Sequence, residues 1–180
     1  MPKIIENLRE KLLSEARRMV SECGYSAFTV RDLSAACGVG VGTVYNYFPS
    51  KEHLIASFLA EDWLREMERI ETACGDASAR DILLSEYDLL RRFYESHRKL
   101  FTDPAAVRVY SSLPRERHMQ MRHQLAAPVE RAFVREGRQT ASFDALFLCE
   151  ALLTWAVALV PKETLFLTMD PILNKGKEGI

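Results

Sequence analysis

The stretch from Thr29 to Lys51, TVRDLSAACGVGVGTVYNYFPSK, gathers side chains suited to holding a nucleic acid. Two short helical patterns meet through Gly38-Val39-Gly40, which is the spacing of a helix-turn-helix. The first can present the Thr29 hydroxyl and the free N–H groups of its amino end to phosphates. Arg31 projects from the same end, and its guanidinium matches the two acceptors of a guanine edge. In the second helix Val44 and Phe48, four apart, form an inward pair. Gly42 then leaves room for a duplex in the major groove, Val41 offers apolar contact, Thr43 can bond a base or touch a thymine methyl, and Asn46 suits an adenine edge. Tyr47 and Lys51 fall where backbone phosphates would pass.

These residues need a scaffold, and the rest of the sequence supplies helices. Leu8, Leu12, Ala16, Met19 and Cys23 recur every three or four residues and predict a first helix that stops at Gly24. Ile5 extends the same stripe. Thr29 with Asp32 three residues on is an acidic variant of the capping box, and Leu33 and Ala36 carry the second helix to Gly38. Pro49 ends the third helix and Ser50 caps a long fourth one, with Ile55, Leu59, Trp63, Met67 and Ile70 on one face as far as Cys74-Gly75-Asp76.

Leu83, Tyr87, Leu90, Tyr94, His97 and Phe101 continue the helical spacing, so residues 79–101 are expected as one amphipathic helix. A short helix opens at Pro104 and ends near Pro114. A seventh carries Met121, Leu125, Val129 and Phe133, is kinked at Pro128 and stops at Gly137. The eighth, Phe143 to Val160, is apolar almost all round and calls for burial on both sides. A ninth follows Pro161. No sustained alternation or hairpin signal predicts a strand. The expected fold class is all-α, with about nine helices: a helix-turn-helix DNA-binding domain over residues 1–49 and a helical effector-binding and dimerisation domain over 50–180.

The run from Gly24 to Leu54, with GYSAFTVRDLSAACGV, then GTVYNYF and SKEHL, strongly resembles the tetracycline-repressor family of bacterial regulators. The likeness covers residues 5 to about 58 closely, and beyond residue 60 it is architectural only. It implies that Thr29, Thr43, Tyr45, Tyr47 and Lys51 sit at DNA-contacting positions, with Arg31 at one that some members use for a base. Gly40 stands where a Ser or Thr cap is usual, a departure glycine tolerates because it also caps. The resemblance implies a homodimer on a palindromic double-stranded operator and a repressor released by a small-molecule effector. An effector-independent DNA-binding homodimer, architectural or in cell division, is the alternative.

Bulk properties narrow the remaining classes. The 180 residues carry a formal net charge of −1, so charge alone does not announce nucleic acid, and any such reading rests on where particular side chains lie. The charged amino terminus lacks a secretory pattern and the apolar run at Ala145–Val160 is short for a bilayer, so a cytoplasmic protein without membrane partners is expected. Cys23, Cys37, Cys74 and Cys149 form no CxxC pair, and His118 and His123 are five apart, which misses the metal-binding helical spacing. No metal, cofactor, nucleophilic triad or phosphate loop is expected, and no enzyme.

Two expectations concern the carboxy-terminal part. An effector cavity would be lined by Trp63, Tyr87, Leu90, Tyr94, His97, Met121, Leu125, Glu150 and Thr154, where aromatic and Met residues converge with a few polar groups. Glu150, a carboxylate in an apolar helix, needs a partner, either an Arg across the dimer or a cationic ligand. The dimer would join mainly through the eighth and ninth helices, where Leu146, Cys149, Leu153, Ala156 and Val160 make one continuous apolar face.

Overall fold

The computed structural model describes residues 7–111 and 115–175, so Ile5 and Pro114 lie outside the described residues. Every regular element among these is an α-helix: α1 Leu8–Ala27, α2 Val30–Cys37, α3 Val41–Tyr47, α4 Lys51–Ala73, α5 Ala79–Ser96, α6 Arg98–Phe101, α7 Pro104–Ser111, α8 Arg115–Arg135, α9 Ala141–Trp155 and α10 Lys162–Leu173. The all-α expectation stands, with ten helices described. The extra one arises because the helix expected over 79–101 breaks at His97, where φ is −114° and ψ 17°. At that point the chain leaves one compact unit and enters another.

The first unit holds the described residues up to Trp63 and returns from Ser96 through α7; the second holds Leu64–Glu95 and α8 to α10. In the first, Leu12, Leu13 and Ala16 of α1, Leu33 of α2, Val44 of α3 and Leu54, Ile55 and Phe58 of α4 are all but sealed from solvent. Leu100 of α6 and Ala106 of α7 complete the same core. α1 is interrupted at Gly24, whose φ of 80° is a left-handed value that glycine adopts without strain. The turn it makes lets α6 and α7 grip the end of α1. Lys99 Nζ donates to the Glu22 carbonyl at 2.6 Å, and the Ser26 backbone N–H and hydroxyl each donate to Asp103 at 2.8 Å. Asp103 in turn accepts the Ala105 N–H at the start of α7.

The break at His97 has a partner in the same unit. Its Nε2 lies 3.0 Å from Asp62 Oδ2 of α4, to which Arg17 Nε of α1 also donates at 2.9 Å. The imidazole stacks on Phe58 and tilts against Phe101. Burial alone would raise the Asp62 carboxyl, yet the hydrogen bonds from His97 and Arg17 hold it below the usual aspartate value.

In the second unit α8 and α9 make the main helix pair. Leu125, Val129 and Phe133 of α8 meet a core that includes Leu148 and Leu152 of α9 and Ile82, Leu83 and Leu89 of α5. Pro128 sits inside α8 without ending it. The stop comes at Gly137, with φ 79°, where the Arg138 N–H reaches back to the Phe133 carbonyl at 3.0 Å. Arg138 then lies over the Phe133 ring at 4.0 Å and donates to the Ile172 and Leu173 carbonyls and to Asp144, tying the end of α10 to the start of α9.

The face expected to meet a partner chain is divided by this packing. Cys149 and Ala156 are fully buried within the chain, the first against Glu86 of α5 and the second with its carbonyl accepting from Arg91. Leu146, Leu153 and Val160 are half-buried. Among the apolar side chains left outside are Phe143 and Phe147, 70% and 52% exposed and stacked 6.3 Å apart, Trp155 at the end of α9, and Leu167 of α10.

Asp62→Asn should cost the protein about 1.5–3 kcal/mol at neutral pH through the weakened hydrogen bonds to His97 and Arg17. The folded carboxyl titrates below its unfolded value, so this stability is fully present above the unfolded value and is lost as pH falls through the folded one. Urea melts of parent and variant should separate at pH 7 and converge in acid, below the ordinary aspartate value of 3.8.

Candidate nucleic-acid interface

The surface in question is built by two caps and one inward pair. Thr29 is the N-cap of α2: its hydroxyl oxygen accepts the Asp32 N–H at 3.1 Å and donates its proton to Asp32 Oδ2 at 2.6 Å. The expected capping box is thus closed through the Thr29 hydroxyl, whose single donor is occupied locally. α2 ends at Gly38, with φ 70°, where the Val39 N–H returns to the Ser34 carbonyl at 3.0 Å. Gly40 N-caps α3 with backbone alone.

α3 is held by Val44 and Phe48, 1% and 2% exposed. A helix advances about 100° per residue, so anchoring these two turns Gly42 and Asn46 to the opposite side. Both are exposed, Val41, Tyr45 and Tyr47 flank them exposed, and Thr43 is half-buried. Arg31 is exposed near the start of α2, and its guanidinium has no partner among the described residues. Seven of the nine residues expected to touch DNA therefore share one accessible district of the first unit, with their polar groups uncommitted.

Gly42 has a specific signature. A Cβ placed there meets nothing within 4 Å, and its backbone is ordinary helix, so neither crowding nor a positive φ within the chain requires glycine. A glycine inside a helix costs about 0.5–1 kcal/mol against alanine. What it provides is a smooth backbone surface for something approaching from outside.

Lys51 departs from the expected phosphate role. Its ammonium donates to the Tyr25 and Phe28 carbonyls, each at 2.6 Å, and sits 4.0 Å from the centre of the Tyr25 ring. The cation satisfies carbonyls at the end of α1 that have no helical partner there. Tyr25 and Glu52, which the sequence reading gave no role, complete the clasp. The Tyr25 hydroxyl donates to Glu52 at 2.6 Å, and burial first, then Glu52, pushes the phenol up to about 12. The signal available was the aromatic pair Tyr25 and Phe28 ahead of a lysine at the next long helix.

The residues expected to line an effector cavity are dispersed. Trp63 and His97 belong to the first unit, where His97 is engaged with Asp62, and the other seven to the second. There Tyr87 donates its hydroxyl to the Val160 carbonyl at 2.7 Å, Leu90 and Leu125 are buried, Tyr94 and Met121 are half-buried and Thr154 is exposed. Glu150 has partners within its own chain, His118 at 2.9 Å and Arg122 at 3.6 Å.

The comparisons with known proteins meet the site at this point. A family model described as bacterial regulatory proteins, tetR family, matches residues 12–58, which span α2, α3 and the Lys51 clasp. Over residues 12–58 the chain is similar to the tetR family of bacterial regulators. The transcriptional repressor KstR of Rhodococcus jostii is 42% identical over 75 residues, 42% of this chain and 34% of KstR. The repressor AcnR of Corynebacterium efficiens is 34% identical over 100 residues, 54% of this chain and 53% of AcnR. The chain thus spans between a third and about half the length of these curated relatives. A structure of Salmonella enterica GusR matches 96% of this chain and 97% of its own at a TM-score of 0.67 with 22% identity, which extends the shared fold to the helical second unit.

Replacing Lys51 by Met should lower stability by about 1–3 kcal/mol through the lost charged hydrogen bonds. Operator binding, measured against salt concentration, should keep its slope. A slope reduced by roughly 0.9 per phosphate contact would return Lys51 to the DNA backbone.

Proposed function

We propose that this chain is a sequence-specific DNA-binding transcriptional regulator, acting as a repressor that a small-molecule effector releases from its operator. The observation that carries the reading is the outer face of α3, where Gly42 and Asn46 lie exposed between Val41, Thr43, Tyr45 and Tyr47. This face has the width and chemistry for a major groove: Asn46 for an adenine edge, Thr43 and Val41 for a thymine methyl, Tyr45 and Tyr47 for flanking backbone. Arg31 at the head of α2 adds a guanine reader. Thr29 contributes as the cap that aims α2, while the exposed amino end of that helix favours a phosphate. The two relatives' names as repressors support the sign of regulation.

Release by an effector draws support from the path of the chain. α6 and α7 belong to the core of the reading unit, while α5 before them and α8 after them belong to the second. A compound that favours one arrangement of α5 and α8 therefore acts on the helices that precede and follow, in the chain, two segments of the reading unit. A homodimer supports the reading of a palindrome, since two α3 helices one turn of DNA apart need a two-fold partner. Its interface is assigned to the outward side of α9, with Phe143, Leu146, Phe147 and Leu153, rather than to the buried Cys149 and Ala156. No helix among the described residues is long and apolar enough to cross a membrane. The proposed role on DNA would put the protein in the cytoplasm.

Gly42→Ala should stabilise the protein by about 0.5–1 kcal/mol, because the added methyl meets no protein atom and favours helix. Operator affinity should nonetheless fall by about tenfold or more, near 1.4 kcal/mol. The opposite signs, read from a thermal melt and a fluorescence-anisotropy titration on the same preparation, separate a groove contact from a folding defect; unchanged affinity would remove α3 as the reading helix.

Phe147→Glu should convert the protein to monomers in sedimentation velocity with its helical content intact, because the ring is half exposed in the single chain. A dimer that survives the change would place the interface elsewhere.

A further inference from the structure

Of the buried polar groups in the second unit, one carboxyl stands without a charged or fully hydrogen-bonded environment. Glu86 of α5 is 0% exposed. Its Oε2 accepts the Cys149 thiol of α9 at 3.6 Å, and its Oε1 has no hydrogen-bonding partner. The other unpartnered buried atoms of this unit, Glu66 Oε2 and Arg122 Nε, belong to groups that are ion-paired, with Arg69 at 2.5 Å and with Glu150 at 3.6 Å. Buried Asp144 likewise has Arg138 and Thr140. Glu86 has no such compensation. The charges and titratable groups acting on it are Glu71 of α4 and Cys149, and no basic group figures among them in the described residues. Leu83, Leu89 and Leu90, three and four residues away on α5, are all buried, so the carboxyl is the one ionisable point on an apolar helix face.

A stabilising role is poorly served by such a group. A buried carboxyl without a partner costs several kcal/mol if charged and still forfeits hydrogen bonds if neutral. The missing complement has a definite chemistry, a cationic N–H donor carried on an apolar body. Resting on the reading of this chain as effector-responsive, we infer that Glu86 is the anchoring group of the effector site in the second unit, and that the site takes a hydrophobic amine. Cys149 is the positioning residue that holds one oxygen and leaves the other to accept from the ligand's ammonium. Burial raises the Glu86 carboxyl well above the glutamate range, which favours the neutral acid before binding. Binding an ammonium ion would then form a carboxylate–ammonium pair and release the acid's proton to the buffer.

The test uses the full chain with a series of probes, primary alkylammonium ions from ethyl to decyl and benzylammonium, against the alcohols of the same carbon skeletons. At least one ammonium probe should bind the parent protein about ten- to a hundredfold more tightly than its alcohol, the span expected of one charge-assisted hydrogen bond. In Glu86→Gln, which keeps the shape, that preference should fall to about onefold. Calorimetry of the parent in two buffers of different ionisation heat should report about one proton released per amine bound. Glu86→Leu should melt above the parent, whereas a purely structural carboxyl would make it melt below. No preference for any amine in the parent, a preference that survives Glu86→Gln, or a lowered melt for Glu86→Leu overturns the assignment. Operator binding followed in the same titrations keeps the two readings apart: amines that bind through Glu86 without releasing operator refute effector control and leave the site. Alcohols that release operator as well as amines do the reverse.

Discussion

Helices of seven or eight residues cannot bury enough apolar surface to hold their own shape, and the proposed DNA-reading part of this chain is made of two of them. Val44 and Phe48 give α3 only two inward anchors, and α2 has Val30, Leu33 and Cys37. Everything else in the first unit answers that shortage. α1 lays Leu12, Leu13 and Ala16 beneath the pair, α4 adds Leu54, Ile55 and Phe58, and Leu100 and Ala106 close the far side. The polar clasps serve the same end: Lys51 on the carbonyls after Gly24, Asp103 on Ser26, and Asp62 between Arg17 and His97 hold four helices in one register. The outer face of α3 is thereby free of structural duties, which is why it can carry glycine, asparagine and two exposed tyrosines.

The features legible in the sequence are those set by local chemistry. Gly38 and Gly137 end helices as read and Gly24 interrupts α1 where its stop was expected, each with a left-handed φ, and Thr29 and Ser50 cap the helices they precede. The inward pair on α3 follows from spacing alone. Tertiary choices left weaker traces. The stripe from Leu83 to Phe101 runs unbroken in sequence because residues three and four apart stay apolar even where the helix stops and the partner surface changes at His97. α9 is apolar all round, so its pattern does not say which side faces the chain's own core, and Cys149 and Ala156 turned inward while Phe143 and Phe147 did not. Lys51 looked free because a carbonyl partner has no sequence signature. Glu86 was visible as an acid among leucines at i−3, i+3 and i+4, a conflict between residue type and position that marks sites paid for by something other than stability.

The comparisons weigh most where the local chemistry is densest. The family model falls within the first unit, at residues 12–58, and the likeness of the second unit to GusR is one of fold. That division matches the physics of the two parts. A groove reader is constrained by the fixed dimensions of DNA, whereas a helical body tolerates many hydrophobic substitutions provided volume and pattern are kept.

The discontinuous first unit also has a consequence for how the chain matures. Leu100 and Ala106 reach the core of the reading head only after some forty intervening residues have been made, roughly two to eight seconds at ribosomal speeds of about 5–20 residues per second. Until then α1 to α4 present a core with one wall open, and the nascent first unit is a surface that chaperones or a neighbouring nascent copy can meet before that core is closed.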